Sequence, residues 1–201
     1  MSHTLTIWDW DDTLLPNYWL VTSGLLKEYD VPLPEDAKRH LREISESVLA
    51  VLQQAQTHGL VMIITNGDVG WVEVSCRLFF PTLAQFIDTI PIISARASYE
   101  MYSSDPHVWK RMAFATECGP SSNIISIGDS DSERYAVNCL KAPGRTVKSL
   151  KLEIRPSLET FKAQLTTVSR ILSGIILHPG DMDIACNTDI LKPVHGESLV
   201  P

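Results

Sequence analysis

Five short apolar runs, each followed by a stretch of helical spacing, limit what this chain can become. The runs are Thr6-Ile7-Trp8, Val61-Met62-Ile63-Ile64, Ile90-Pro91-Ile92-Ile93, Asn123-Ile124-Ile125-Ser126-Ile127 and Thr146-Val147-Lys148-Ser149-Leu150. They are continuously apolar rather than alternating, which suits strands covered on both faces, as in a parallel sheet. Parallel neighbours need crossovers, and the intervals supply them. A long helix is expected from Pro34-Glu35-Asp36, with Leu41, Ile44, Val48, Leu49 and Leu52 on one face and Gly59 as its stop. Others are expected over 69–80 and 106–118, from near Ser132, and from Ser157. Strand and helix in alternation predict an α/β fold with a mostly parallel sheet flanked by helices.

The chain has 201 residues, enough for one domain with at most a small insertion. With 44% hydrophobic residues it can build a full core. A net charge of −7 argues against a general nucleic-acid binder, which needs a basic surface to meet phosphates. The four cysteines, Cys76, Cys118, Cys139 and Cys186, form neither a CxxC pair nor a zinc spacing, and the first three are expected to pack in the core or against helices. Without a signal peptide, they read as reduced thiols in a cytoplasmic protein. No apolar run is long enough to span a bilayer. The expected division is one domain over 1–178, including a small flap or helical lid over 14–34, and a flexible C-terminal tail over 179–201.

In open α/β sheets ligands bind beyond the carboxyl ends of the strands. Here three strand ends carry Asp9-Trp10-Asp11-Asp12-Thr13, Thr65-Asn66-Gly67-Asp68 and Gly128-Asp129-Ser130-Asp131-Ser132-Glu133. Asp9 and Asp11 are separated by one residue, so both side chains can face one reacting centre while Trp10 points elsewhere. Such a pair suits covalent catalysis, one carboxylate attacking and the other handling protons. Two anions do not attract a phosphate unaided. Mg²⁺ meets the need, because it takes oxygen ligands and bridges one or two carboxylates to a phosphate; Asp129 is the natural further ligand. Thr65, Asn66 and Gly67 offer a hydroxyl and backbone N–H groups at an expected helix start, a cradle for phosphate, although Asn66 reads equally well as a helix cap. Lys110, on the helix feeding the fourth strand, supplies a positive charge. Trp8, Trp19, Trp71 and Trp109 are expected in the core, and His107 in a structural or solvated position.

Taken in order, these residues resemble the four motifs of the haloacid-dehalogenase-like (HAD) superfamily, over residues 5 to 150. DWDDT is similar to the family's DxDx[TV], Thr65 to its second motif, Lys110 to its third and Gly128-Asp129 to its fourth. The resemblance implies a Rossmann-like five-stranded sheet of order 5-4-1-2-3. It implies Asp9 as nucleophile, Asp11 as general acid/base, Thr13 as a brace for the turn, and Mg²⁺ on Asp9, Asp129 and the backbone carbonyl of Asp11. Thr65 and Lys110 would then hold the substrate phosphate. The fourth motif usually ends in Asp; this chain has Glu133 there, and either Glu133 or Asp131 is a candidate partner for Lys110.

Asp11 also bears on the reaction, since the dehalogenases of the superfamily lack it. Its presence implies transfer of a phosphoryl group to water. The intervals after the first and third strands hold no full cap domain, so a minimal cap is expected, with Tyr18, Trp19, Leu20 and Tyr29 in the lid or packed on the core. An open site admits a phosphoprotein or phosphopeptide. IWDWDDT is also similar to the WDLDET of Eyes-absent tyrosine phosphatases and to the DLDET of capless polymerase-tail phosphatases. A weaker similarity is to HAD-type tyrosine phosphatases that intracellular bacteria deliver into host cells, in which case the tail would be the delivery signal. The leading expectation is therefore a monomeric protein phosphatase favouring phosphotyrosine. A phosphatase of small phosphometabolites, closed by oligomerisation, and a non-catalytic phosphate-binding module are the alternatives.

Overall fold

The computed structural model describes residues 4–26 and 32–186. In chain order the elements are β1 (Thr4–Trp8), α1 (Asn17–Thr22), α2 (Glu35–Gln56), β2 (Leu60–Thr65), α3 (Trp71–Phe79), α4 (Ala84–Ile87), β3 (Ile92–Ser94), α5 (Ala95–Tyr99), α6 (Pro106–Glu117), β4 (Asn123–Gly128), α7 (Asp131–Asn138), β5 (Thr146–Lys151), α8 (Leu158–Leu177) and β6 (Met182–Ala185). The fold is α/β with one parallel sheet between two layers of helix, a Rossmann-like arrangement.

The central strands feed both layers, because successive side chains point to opposite faces. On one face Trp8, Ile63, Ile125, Ile127 and Leu150 pack with α2, α3 and α8. On the other, Ile7, Ile64, Ile124 and Val147 pack with α5, α6 and α7. α2 buries Leu41, Ile44, Val48 and Leu52 along one stripe, and opens with Glu35 and Asp36, whose charges favour a helix N-terminus. α6 starts at Pro106, behind Asp105, whose carboxylate accepts a hydrogen bond from His107 N.

The sheet has six strands in the order β3-β2-β1-β4-β5-β6, where five were expected. The expected five-strand order is contained within it, read from the opposite edge. The sixth strand comes from the stretch read as tail. Met182–Ala185 pairs in parallel with Lys148–Lys151, and the Arg134 guanidinium bonds the Asp183 carboxylate from α7. This strand is short and alternates half-buried and exposed residues, so it carries no apolar run for sequence reading to find. Residues 187–201 lie outside the described residues. Among the described residues no helix is long and apolar enough to cross a membrane.

Within the expected lid, Leu14, Leu15 and Leu20 are buried, Trp19 packs at the core edge and stacks edge-on to His40, and Tyr18 is exposed. Tyr29 lies outside the described residues. Cys76 and Cys118 are buried, but Cys139 is exposed, contrary to expectation: it follows the last turn of α7 rather than lying on its inner face.

Candidate active site

The central strands β2, β1 and β4 are neighbours, in register at Trp8↔Ile63 and Trp8↔Ile127. Their carboxyl ends therefore lie side by side. Asp9 follows β1 directly and its N–H donates to Ile127 O at 2.9 Å. Thr65 is the last residue of β2, and Asp129 follows β4.

The chain then turns sharply. Asp12 has φ +55°, a left-handed conformation that Asp tolerates better than most residues, and its N–H donates to Leu15 O at 2.7 Å. The Asp12 carboxylate accepts from Tyr18 N at 2.7 Å, in the first turn of α1. The third carboxylate of DWDDT thus shapes the turn and caps a helix. Thr13 is buried, and its N–H donates to Trp10 O; its hydroxyl has no partner among the described residues.

Lys110 joins the site from α6. It is 1% exposed, and its Nζ donates to Asp9 Oδ1 at 2.5 Å and to Glu133 Oε1. Burial by itself would drive the ammonium toward neutrality, but the Asp9 and Glu133 carboxylates outweigh it and hold Lys110 protonated. Glu133 uses its other oxygen to accept from Ser130 N at 3.1 Å and from Ser130 Oγ, closing a capping box at the start of α7. One residue is helix cap and lysine partner together. Asp131 is exposed and makes no bond to Lys110, so Glu133 takes that role. Gly128 makes room for it: a Cβ there would stand 2.6 Å from Glu133 Cγ.

At the end of β2, Thr65 Oγ1 accepts from Gly67 N at 2.9 Å. The Thr65 hydroxyl keeps its proton to donate, but the Gly67 N–H is already used. The expected helix start at this loop is displaced: α3 begins at Trp71 behind Gly70. Asn66 is accordingly no cap; its Nδ2 reaches Pro106 O at 3.4 Å, tying this loop to α6.

Asp11 is held by a residue that sequence reasoning placed in the core. Trp71 Nε1–H donates to Asp11 Oδ1 at 3.0 Å and Oδ2 at 3.1 Å. No spacing rule links residues sixty apart; the only local signal was a Trp soon after the second polar strand end. Lys151, at the end of β5, was also passed over; its Nζ donates to Asp129 O at 3.1 Å.

The site holds more negative charge than Lys110 can balance. Burial raises Asp9 well above an ordinary carboxyl; Lys110 opposes this, and the charges of Glu133 and Asp129 add to it. Burial pushes Asp11 up to about 6 against the opposing Trp71 hydrogen bond. Burial, with Glu133 and Asp12, pushes Asp129 up to about 7. An acid near 6 is suited to proton transfer near neutral pH. Among the described residues no three His, Cys, Asp or Glu side chains converge as a closed metal cage. Asp9 and Asp129, near enough for the charge of Asp129 to raise Asp9, offer with a backbone carbonyl an all-oxygen donor set with only two side chains. That set fits Mg²⁺, which keeps several waters and takes few carboxylates, and does not fit zinc. Comparison with family models, with curated proteins and with solved structures finds no match to this chain.

Proposed function

We propose that this chain is a HAD-like, Mg²⁺-dependent phosphomonoester hydrolase working through an aspartyl-phosphate, with phosphotyrosine in a protein or peptide as its preferred substrate. The observation that carries the reading is the buried Lys110 ammonium held between Asp9 and Glu133, with Asp11 and Asp129 at the adjoining strand ends.

Asp9 Oδ attacks phosphorus as the bond from phosphorus to the leaving oxygen breaks, and Asp11 gives its proton to that oxygen. Water then attacks the aspartyl-phosphate and passes a proton to Asp11, which frees phosphate and restores both carboxyl groups. Lys110 and the Thr65 hydroxyl offset charge on the transferring oxygens. Mg²⁺, held by Asp9, Asp129 and the Asp11 carbonyl, would supply the remaining positive charge. The described part of the lid is one six-residue helix, α1, which suits a bulky substrate. Tyr18 on that helix, Val69 in the β2–α3 loop, and Met101 and Tyr102 between α5 and α6 are exposed apolar side chains in segments that follow strand ends.

The test is hydrolysis of p-nitrophenyl phosphate with and without Mg²⁺, wild type beside Asp9→Asn, followed by phosphotyrosine and phosphoserine peptides and sugar phosphates. Mg²⁺-dependent turnover that vanishes in the variant, with preference for phosphotyrosine peptides, supports the reading. Equal turnover in both proteins, or none in either, overturns it. Preference for sugar phosphates would keep the mechanism and replace the substrate class.

A further inference from the structure

Two indoles fasten the catalytic loop to α3, and they do so in opposite directions. Trp10, between the two aspartates, is fully buried on the α3 side of the sheet, and its Nε1–H donates to Ser75 Oγ at 2.9 Å. Ser75 Oγ donates in turn to Trp71 O at 2.6 Å. One helical turn earlier, the Trp71 indole reaches back and donates to both oxygens of Asp11. The loop thus grips the helix through Trp10, and the helix grips the loop through Trp71. The fit is close at the joint: a Cβ on Gly67 would stand 2.6 Å from Trp71 Cδ1. Trp10 is further fixed by an edge-on contact with Phe80, ring centres 6.5 Å apart.

We infer that Trp71 is a positioning residue for proton transfer to the leaving group, its indole N–H fixing the Asp11 carboxyl through a mount on α3 that Ser75 and Trp10 hold rigid. This rests on the phosphatase reading above. Apolar packing does not account for the geometry. Trp71 is only partly buried at the edge of the core, and apolar packing alone does not require its N–H to meet Asp11. What tryptophan adds is a donor nearly equidistant from the two carboxyl oxygens, which stops the side chain rotating about its last bond. When Asp11 releases its proton to the leaving oxygen, the same N–H stabilises the carboxylate left behind.

A residue that positions the acid matters most where the leaving oxygen needs a proton. The variants to compare are Trp71→Phe, Trp71→His, Asp11→Asn and the Trp71→Phe/Asp11→Asn pair, each measured with Mg²⁺ for kcat and KM. The substrates are phenyl phosphate, a poor leaving group, and p-nitrophenyl phosphate, which departs with little help. In Trp71→Phe, kcat on phenyl phosphate is expected to fall about tenfold further than on p-nitrophenyl phosphate, with KM changed alike for both, since general acid catalysis contributes about 10²–10⁴. Trp71→His, which keeps a ring N–H, recovers part of the loss, and the double variant is no worse than Asp11→Asn.

Equal losses on the two substrates, or additive losses in the pair, overturn the inference and leave the phosphatase reading standing. Absence of Asp9-dependent turnover in the wild type overturns both. Should Trp71→Phe fail to fold by circular dichroism, Ser75→Ala loosens the mount while keeping the indole. It is expected to show the same bias toward phenyl phosphate in smaller measure, and an even loss there overturns the inference equally.

Discussion

Among the described residues two lysines are buried to the same degree, 1% exposed each, and they sit in opposite surroundings. Lys110 lies at the carboxyl end of the sheet between two carboxylates. Lys148 lies on β5, and its Nζ donates to Asn123 Oδ1 and Ile176 O, both at 2.8 Å. Ile176 belongs to the last turn of α8, so Lys148 places a cation at the negative end of a helix dipole. Burial lowers the Lys148 pKa, only partly offset by Asp181, while the carboxylates around Lys110 reverse the same effect. A buried lysine is therefore no mark of a site. What distinguishes Lys110 is that removing it strands two charges, whereas the acceptors of Lys148 are neutral and each keeps a second donor.

The largest expected contrast is in activity. On the function proposed above, Lys110→Met should lower turnover of p-nitrophenyl phosphate by about 10²–10³, and Lys148→Met should leave it within about twofold. Their stabilities should separate as well. Leaving Asp9 and Glu133 unpaired costs about 3–5 kcal/mol, whereas Asn123 Oδ1 and Ile176 O keep other donors, Thr146 Oγ1 and Asn123 Nδ2, so losing Lys148 costs about 1 kcal/mol per hydrogen bond. Thermal melts of the pair would collapse the comparison if the two variants lost the same amount.

A smaller effect tests whether the site is anion-crowded. Asp129 has its carboxyl raised to about 7 from the ordinary 3.8, so the folded state binds its proton more tightly than the unfolded chain. Its contribution is then full below 3.8, fades between 3.8 and 7, and above 7 leaves a standing penalty. Metal-free Asp129→Asn should melt about 5 °C above the wild type at pH 8, with the gap closing toward pH 5. Adding Mg²⁺ should raise the wild type and not the variant. A gap that does not change with pH would show that Lys110 and Lys151 balance the charge by themselves.

The smallest expected change concerns the second partner of Lys110. Glu133→Gln keeps the side-chain length and, with its single oxygen turned to the Ser130 N–H, the capping box, but it removes a charge and sets its NH2 where Lys110 had an acceptor. Turnover should fall about tenfold, with the melting temperature moving by about 3 °C or less, because the capping box survives. A loss as large as that of Lys110→Met would make Glu133 as important as the lysine itself.

The positions of Asp9, Thr65 and Asp129 were legible in the chain because each depends on a local pattern: an apolar run, then polar residues where it stops. The central strand order was carried by family resemblance, not by pattern. Which carboxylate Lys110 would choose was not legible. Asp131 and Glu133 both sit in the first turn of α7, and only the direction of that helix turns Glu133 inward over Gly128 and leaves Asp131 in solvent. Trp71 does pack against the core, as expected, but its hold on Asp11 was not legible for a related reason. Its indole looks like core until the folded chain brings it against a carboxylate sixty residues away.

The amino-acid sequence by itself determined the alternation of strands and helices and the chemistry at the strand ends, since period and residue type act over a few residues. The tertiary structure decided the sixth strand, the late start of α3, the partners of Lys110 and the grip of Trp71 on Asp11. Each of those depends on contacts between segments far apart in the chain, and such contacts take their energy from burial and direction, which no local period records.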